Sequence, residues 1–411
     1  MSIIQHASIF KRQDTNDSPV FGFGLNFLLC FMCFFCVICV TIGMPILPKL
    51  ANYFNVNKDT AQQIASILFL GGGLSGLIYG PLSDSFGRRR ILLVTLSLYC
   101  LFAFLSSLAT TIEFFMLFQF LQGLHAGAGT VVSLAIAKDS LQGSAAAKLI
   151  ANFGLIIPLA PATGPLIGGY LESHYGWQAV YIFLSIMAGI TMLLVLFFLP
   201  ETHKKEKRLS FSYKLLVSTF KEILRKRSFL KYAMVLGLSH SCLMMYNVTA
   251  SFMFIQQFGI KLENFGFYQM LSMLGIILGN FIVSRFVMEH GLTKMLKFGT
   301  KLCFGGAILF LIITIEDFRI PVLFSLCMFV FCVGIGCIFS TAMSLGMSTV
   351  PEAKGCTSSL LRLMQLTASS ISVAVIAEFY NQTFWPMVVV FMTFGLGLFI
   401  FGQYYLSQGE E

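Results

Sequence analysis

The chain has 411 residues, of which 57% are hydrophobic and only 11% charged, and a formal net charge of +9. A soluble domain of this size carries about twice that charge fraction, so the composition excludes a water-soluble globular enzyme. Apolar runs of about 18 or more residues recur along the whole chain, each long enough to cross the hydrocarbon core as a helix. The fold class is an all-α integral membrane protein. No cofactor or metal is implied, no nucleotide-binding motif appears, and no soluble stretch is long enough to hold an active site, so we do not read it as an enzyme.

In chain order, residues 1–21 are polar and lack the layout of a cleaved signal peptide, which predicts a cytoplasmic tail. Twelve spans follow, over 22–48, 60–80, 91–109, 113–137, 147–171, 177–199, 231–255, 265–287, 296–314, 321–346, 355–380 and 385–406. They form an N-terminal half (22–199) and a C-terminal half (231–406), joined by a basic linker (200–230) and followed by a short cytoplasmic tail (407–411). Two six-helix halves of this kind fit a parallel repeat about an axis along the membrane normal. Lys49, Lys58, Lys261 and Arg319 fall on one side, and the other 23 of the 27 basic residues on the opposite side or near it. Both termini are therefore expected in the cytoplasm of a bacterial-type inner membrane. The positive charge is a topology signal and not a nucleic-acid footprint, since no stacked aromatics lie among the basic residues. The basic linker is expected along anionic lipid headgroups.

The first span repeats cysteine at 30, 33, 36 and 39. Each step of three turns a helical side chain by about 300°, so Cys30 and Cys39 face opposite ways and the set reads as packing residues. The same span holds Asn26 and Thr41 and closes in Met44-Pro45-Ile46-Leu47-Pro48-Lys49-Leu50.

Between spans two and three lies Gly80-Pro81-Leu82-Ser83-Asp84-Ser85-Phe86-Gly87-Arg88-Arg89-Arg90. Gly80 and Gly87 permit a tight turn and close helix approach. Asp84 is held near Arg88 and Arg89, where partial desolvation favours pairing. The run resembles the G-x-L-x-D-x-x-G-R-R/K loop of the major facilitator superfamily. That resemblance implies two rigid halves working by alternating access, with Asp84, Arg88 and Arg89 tying the halves together in one state and releasing them on switching. The loop after span eight, with Ser284, Arg285, Gly291 and Lys294, is a degraded echo of it.

Span five contains Gly164-Pro165-Leu166-Ile167-Gly168-Gly169. Glycines four apart make a groove for close packing, and Pro165 removes a backbone hydrogen bond. The run is similar to the fifth-helix G-P-x-x-G-G of the family's exporters. Gly176-Trp177-Gln178-Ala179-Val180, Leu199-Pro200-Glu201-Thr202 and Gly355-Cys356-Thr357-Ser358-Ser359-Leu360-Leu361 add to this. Together they resemble the bicyclomycin and chloramphenicol resistance branch of the twelve-helix drug:proton antiporters.

Two positions depart from that branch. Thr41 stands where an acidic residue is usual, and in Gln119-Phe120-Leu121-Gln122-Gly123 the first residue replaces an arginine. Losing both charges together is coherent, because either alone is an unpaired charge in a low-dielectric interior. His125 and His240, both near mid-membrane, are the candidate proton carriers; each can also be a neutral imidazole bonded to a neighbouring helix. Gln122, Asn152, Tyr246 and Asn247 supply neutral hydrogen-bonding groups. Glu113 and Glu378 read as interfacial.

Arg362 lies eight residues into span eleven, roughly 12 Å inward, with Gln365 one turn on. It can anchor an anionic substrate group or reach back to the interface, and the sequence leaves both open. The expected activity is export of small amphipathic compounds by a monomer, with protons as the possible driving partner. Two rivals stand beside it. One is a dedicated carrier for a polycarboxylate siderophore or organic acid, which Arg362 favours. The other is a membrane sensor or scaffold that has lost transport. Asn381-Gln382-Thr383 matches a glycosylation sequon but lies too near the membrane to carry weight.

Overall fold

A computed structural model describes residues 19–140, 149, 152, 153, 156, 157, 159–203, 213–350, 354–379 and 383–405. Both tails, most of the start of the fifth span, part of the basic linker and the sequon at Asn381 lie outside them.

The first half consists of α1 (Pro19–Thr41), the short α2 (Leu47–Tyr53), α3 (Lys58–Phe86), α4 (Arg88–Ser107), α5 (Ile112–Ser140), α6 (Leu159–Tyr175) and α7 (Trp177–Phe198). The linker contains α8 (Tyr213–Arg225). The second half consists of α9 (Arg227–Phe252), α10 (Leu262–Ile315), α11 (Pro321–Ser348), α12 (Lys354–Phe379) and α13 (Trp385–Ile400). Among the described residues nine helices are long and apolar enough to cross a membrane. At 54 residues α10 is too long for one crossing, and it breaks at Gly291, whose φ is +78°. It therefore supplies spans eight and nine. With α6 and α9, which are shorter or more polar than the rest, the helices account for the twelve expected spans.

Three boundaries differ from the sequence reading. The first span does not run to residue 48: its helix ends at Thr41, and Pro48 sits in the first turn of α2, where a missing N–H costs nothing. Gly80 makes no turn, because α3 continues through Pro81 to Phe86 and only Gly87, at φ +101°, ends it. Hydropathy marks where the apolar window stops, whereas the helix stops at the first residue that leaves helical φ. The linker is also not simply a polar strap along lipid headgroups. It includes α8, which packs on α12 and α9 with Ile223 fully buried.

Lipid offers no hydrophobic force between helices, so association rests on backbone proximity and van der Waals contact. In the first half α3 and α5 meet through Gly71 and Gly123. A Cβ on Gly71 would strike the Phe120 carbonyl, and one on Gly123 the Leu68 carbonyl. In the second half α10 and α11 meet the same way, Gly275 and Gly279 lying against the carbonyls of Phe329 and Val333. Spans two and four thus correspond to spans eight and ten, a repeat barely visible in the residues themselves.

Two seams join the halves. Along one, α3 packs on α12: Ser66 Oγ donates to the Ser370 carbonyl at 2.7 Å, and Ser370 Oγ returns a bond to the Ser66 carbonyl at 2.7 Å. Further along it, Gly73 faces Thr367 and Gly76 faces Ser359. On the opposite side α6 packs on α10, with Gly169 against the Leu262 carbonyl and Gly266 against the backbone of Leu166.

Replacing Gly123 by Val, or Gly279 by Val, should destabilise the protein by about 1–3 kcal/mol through overpacking. Gly189→Val, which enters open space, should leave it unchanged. Thermal unfolding in detergent measures the difference.

Candidate functional site

The α3–α4 corner is organised by charge. Arg88 is buried although it carries a guanidinium. Its Nη2 pairs with Asp84 Oδ1 at 2.5 Å and its Nη1 donates to Ser83 Oγ at 2.5 Å. The first N–H of α4 has no partner within the helix, and Glu201 supplies one, its Oε1 accepting from the Arg88 backbone at 3.0 Å. Arg89 turns away from Asp84 and donates to the Leu196 carbonyl at 2.6 Å. Asp84 also bears electrostatically on Cys356 in the first turn of α12, where an acidic group opposes the positive end of the helix dipole. Arg90 is exposed. Ser83 and Glu201 were absent from the expected set. Leu199-Pro200-Glu201-Thr202 pointed to the region, but only the fold brings Glu201 to the start of α4.

The glycines of α6 split between two partners. Gly164 and Gly168 face α1, at Thr41 and Ile42, while Gly169 faces α10 in the other half. A Cβ on Gly164 would come within 2.5 Å of Thr41 Oγ1. Pro165 is buried inside the helix between them.

Several expected contact residues are turned into the halves and away from the space between them. Thr41 is 3% exposed and lies in the α1–α6 packing, its Oγ1 within 3.5 Å of the Ala160 carbonyl. Gln119 and Gln122 both donate to Ser106 Oγ on α4, at 3.4 and 2.7 Å. His125 is wedged between α3 and α4, with Nδ1 2.7 Å from Tyr79 Oη and its ring stacked on Phe102. In the second half Asn247 accepts from Gln269 Nε2 at 2.5 Å, and Tyr246 Oη meets Ser272 Oγ at 3.2 Å. These are polar bolts between helices of one half. Their placement has one cause: spacing gives depth along a helix, but each polar group turns toward whichever neighbour can satisfy it.

A second set lies where the halves meet. His240 on α9 and Arg362 on α12 are both partly buried. His240 Nδ1 lies 2.8 Å from Ser369 Oγ. Ser369 donates its single hydrogen to the Gln365 carbonyl at 2.9 Å, so it accepts from Nδ1–H, which leaves the imidazole lone pair on Nε2. The Arg362 charge bears on Cys36 of α1 and on His240. Both are mid-span, on α1 and α9, so the charge is felt between the halves and not only at the basic interface. Gln365 is 2% exposed and its Nε2 has no hydrogen-bond partner. Asn26 and Asn152 are partly buried; Asn26 Oδ1 is unpartnered. Cys33, Cys36 and Cys39 face Ser133, Gly129 and Tyr99 respectively, which fits packing better than convergence.

Burial along α9 is asymmetric. Every described residue from Ser241 to Phe254 is buried, whereas Leu238 and His240 are partly open. At the Lys49 end α2 packs on α9. At the basic end Met343, Ser344, Met347 and Ser348 of α11 are open or half-open.

Two six-helix halves meeting along two glycine-lined seams, with polar groups held between them, define a membrane transporter of the two-half rocking class. The chain belongs to the Major Facilitator Superfamily, whose description it matches over residues 29–373. It is 25% identical over 346 residues to a bicyclomycin resistance protein homolog of Haemophilus influenzae, covering 84% of this chain and 86% of that one. It is 24% identical over 339 residues to the chloramphenicol resistance protein CraA of Acinetobacter baumannii, covering 82% and 81%. The fold is shared with the human organic anion transporter TETRAN at a TM-score of 0.71 and 20% identity, covering 95% of this chain and 100% of that one.

In a cysteine-free background, cysteines placed at positions 240 and 362 should react with a membrane-impermeant maleimide. Cysteines at 119 and 247 should be at least tenfold slower, because both sites are sealed inside a half. Labelling rates followed by mass spectrometry decide it.

Proposed function

We propose that this protein exports small amphipathic compounds by alternating access, as a monomer, with the basic end and both termini in the cytoplasm. The observation that carries the reading is the asymmetric burial of α9: sealed from Ser241 to Phe254, and opening at His240 toward the basic end. This is the geometry of a transporter loading from the cytoplasm. The positive-inside distribution supports the orientation. The resistance proteins to which the chain is similar support export. One chain carries both halves and the space between them, so a single copy suffices for the cycle.

Rocking requires the halves to slide where α3 meets α12. Asp84 sits at that point, bound to Arg88 and facing the start of α12. It is placed to hold the two halves in register in one state and let go in the other. With neutral Thr41 and Gln119 in the first half, the coupling group is a histidine. His240 is the better placed of the two: it is partly open beside the sealed stretch of α9 and bonded to Ser369 of α12, the helix that packs on the first half, while His125 is buried and enclosed by Tyr79 and Phe102.

In proteoliposomes, flux of small amphipathic compounds should rise with an imposed pH gradient. His240→Gln should remove the gradient dependence and His125→Gln should retain it. Flux indifferent to the gradient in the unmodified protein would sink proton coupling. Asp84→Asn should abolish flux without loss of helix content; a scaffold that does not transport would show no flux to lose.

A further inference from the structure

The charge on Arg362 has no counterpart among the described residues. No described acidic side chain forms an ion pair with it, and the described acidic residues fall at or near helix ends or in connections. The positions where an embedded carboxylate could have answered it are neutral: Thr41 is spent on the α1–α6 packing, and Gln119 on Ser106. A guanidinium held within a span is costly unless it is paired, and Arg362 is partly buried within α12, the helix of the α3–α12 seam, with its charge felt at Cys36 and His240.

The neighbouring Gln365 amide is a donor without an acceptor. Gln365, one helical turn from Arg362, is 2% exposed, and its Nε2 has nothing to bond to. Such a donor is expensive to leave unmade. The backbone carbonyl of Gln365 accepts from Ser369 Oγ at 2.9 Å, and Ser369 in turn accepts from His240. A planar guanidinium and a primary amide on one helix face suit a planar, two-oxygen anion, which arginine binds in bidentate fashion.

We propose that Arg362 and Gln365 form the binding site for a carboxylate on the transported compound, so that the preferred substrates are amphipathic organic acids. Arg362 pairs with the carboxylate, the Gln365 amide donates to it, and the apolar part lies against the partly buried Phe34, Val37 and Val40 of α1. The substrate thereby supplies the charge that the first half lacks. The inference rests on the export reading only for the direction in which the acid moves; the site itself does not depend on it.

Binding separates the two. The full-length protein in nanodiscs is titrated against fluorescein and its methyl ester, followed by fluorescence polarisation, in Hepes buffer without added chloride and again in chloride. We expect fluorescein to bind about tenfold or more tighter than the ester, the span of one charge-assisted hydrogen bond or more. Arg362→Gln should erase that preference while leaving ester binding within about twofold, Gln365→Leu should reduce it, and Arg362→Lys should retain part of it. Gel filtration of each variant checks that it is folded. Equal affinity for acid and ester, or an acid preference that survives in a folded Arg362→Gln variant, would overturn the proposal. Displacement of fluorescein by millimolar chloride in an Arg362-dependent manner would also overturn it and leave a halide site. Acid binding with no flux would fault the export reading and leave this one standing.

Discussion

The structure depends on backbone coming close to backbone across glycine. In lipid the tails are as apolar as the side chains, so burying a leucine between helices gains little over leaving it outside. Only closer packing can win, and that needs positions with no Cβ. Gly71 and Gly123 provide it in the first half, Gly275 and Gly279 in the second, and Gly169 and Gly266 between the halves. A surface smooth enough for contact is also smooth enough for sliding, so the feature that stabilises each half permits their relative motion.

Polar side chains then divide by partner. Within each half they act as fixed bolts: Gln122 to Ser106, His125 to Tyr79, Asn247 to Gln269. Breaking these bonds would expose groups that the membrane cannot solvate. Between the halves the pairs are sparser. Ser66 and Ser370 exchange bonds there, while Arg362 and the Gln365 amide have no acceptor among the described residues.

The charged corner at Arg88 follows the same logic at the membrane edge. A buried guanidinium is tolerated there because Asp84 and Ser83 answer it and because Glu201 caps the helix that it begins. Three segments far apart in sequence meet at one helix start, the end of α3, the start of α4 and the residues after α7, and they brace the first half where it touches α12.

Much of the architecture was legible in the residues. Length, charge fraction and apolar runs determined twelve membrane crossings and their two-half grouping, because a helix in lipid must satisfy its own backbone whatever surrounds it. The Asp84–Arg88 pair and the small-residue groove of α6 were legible for the same reason: both depend on neighbours in the chain. The facing of isolated polar residues was not. Thr41, Gln119, His125, Tyr246 and Asn247 all lie at plausible depth, yet each turns toward a partner on another helix that sequence spacing cannot identify. The role of Glu201, the serine exchange between Ser66 and Ser370, and the stranding of Arg362 beside an unpartnered Gln365 were decided by tertiary structure alone. Periodicity determines which side of a helix a residue occupies; only the packed bundle determines what stands on that side.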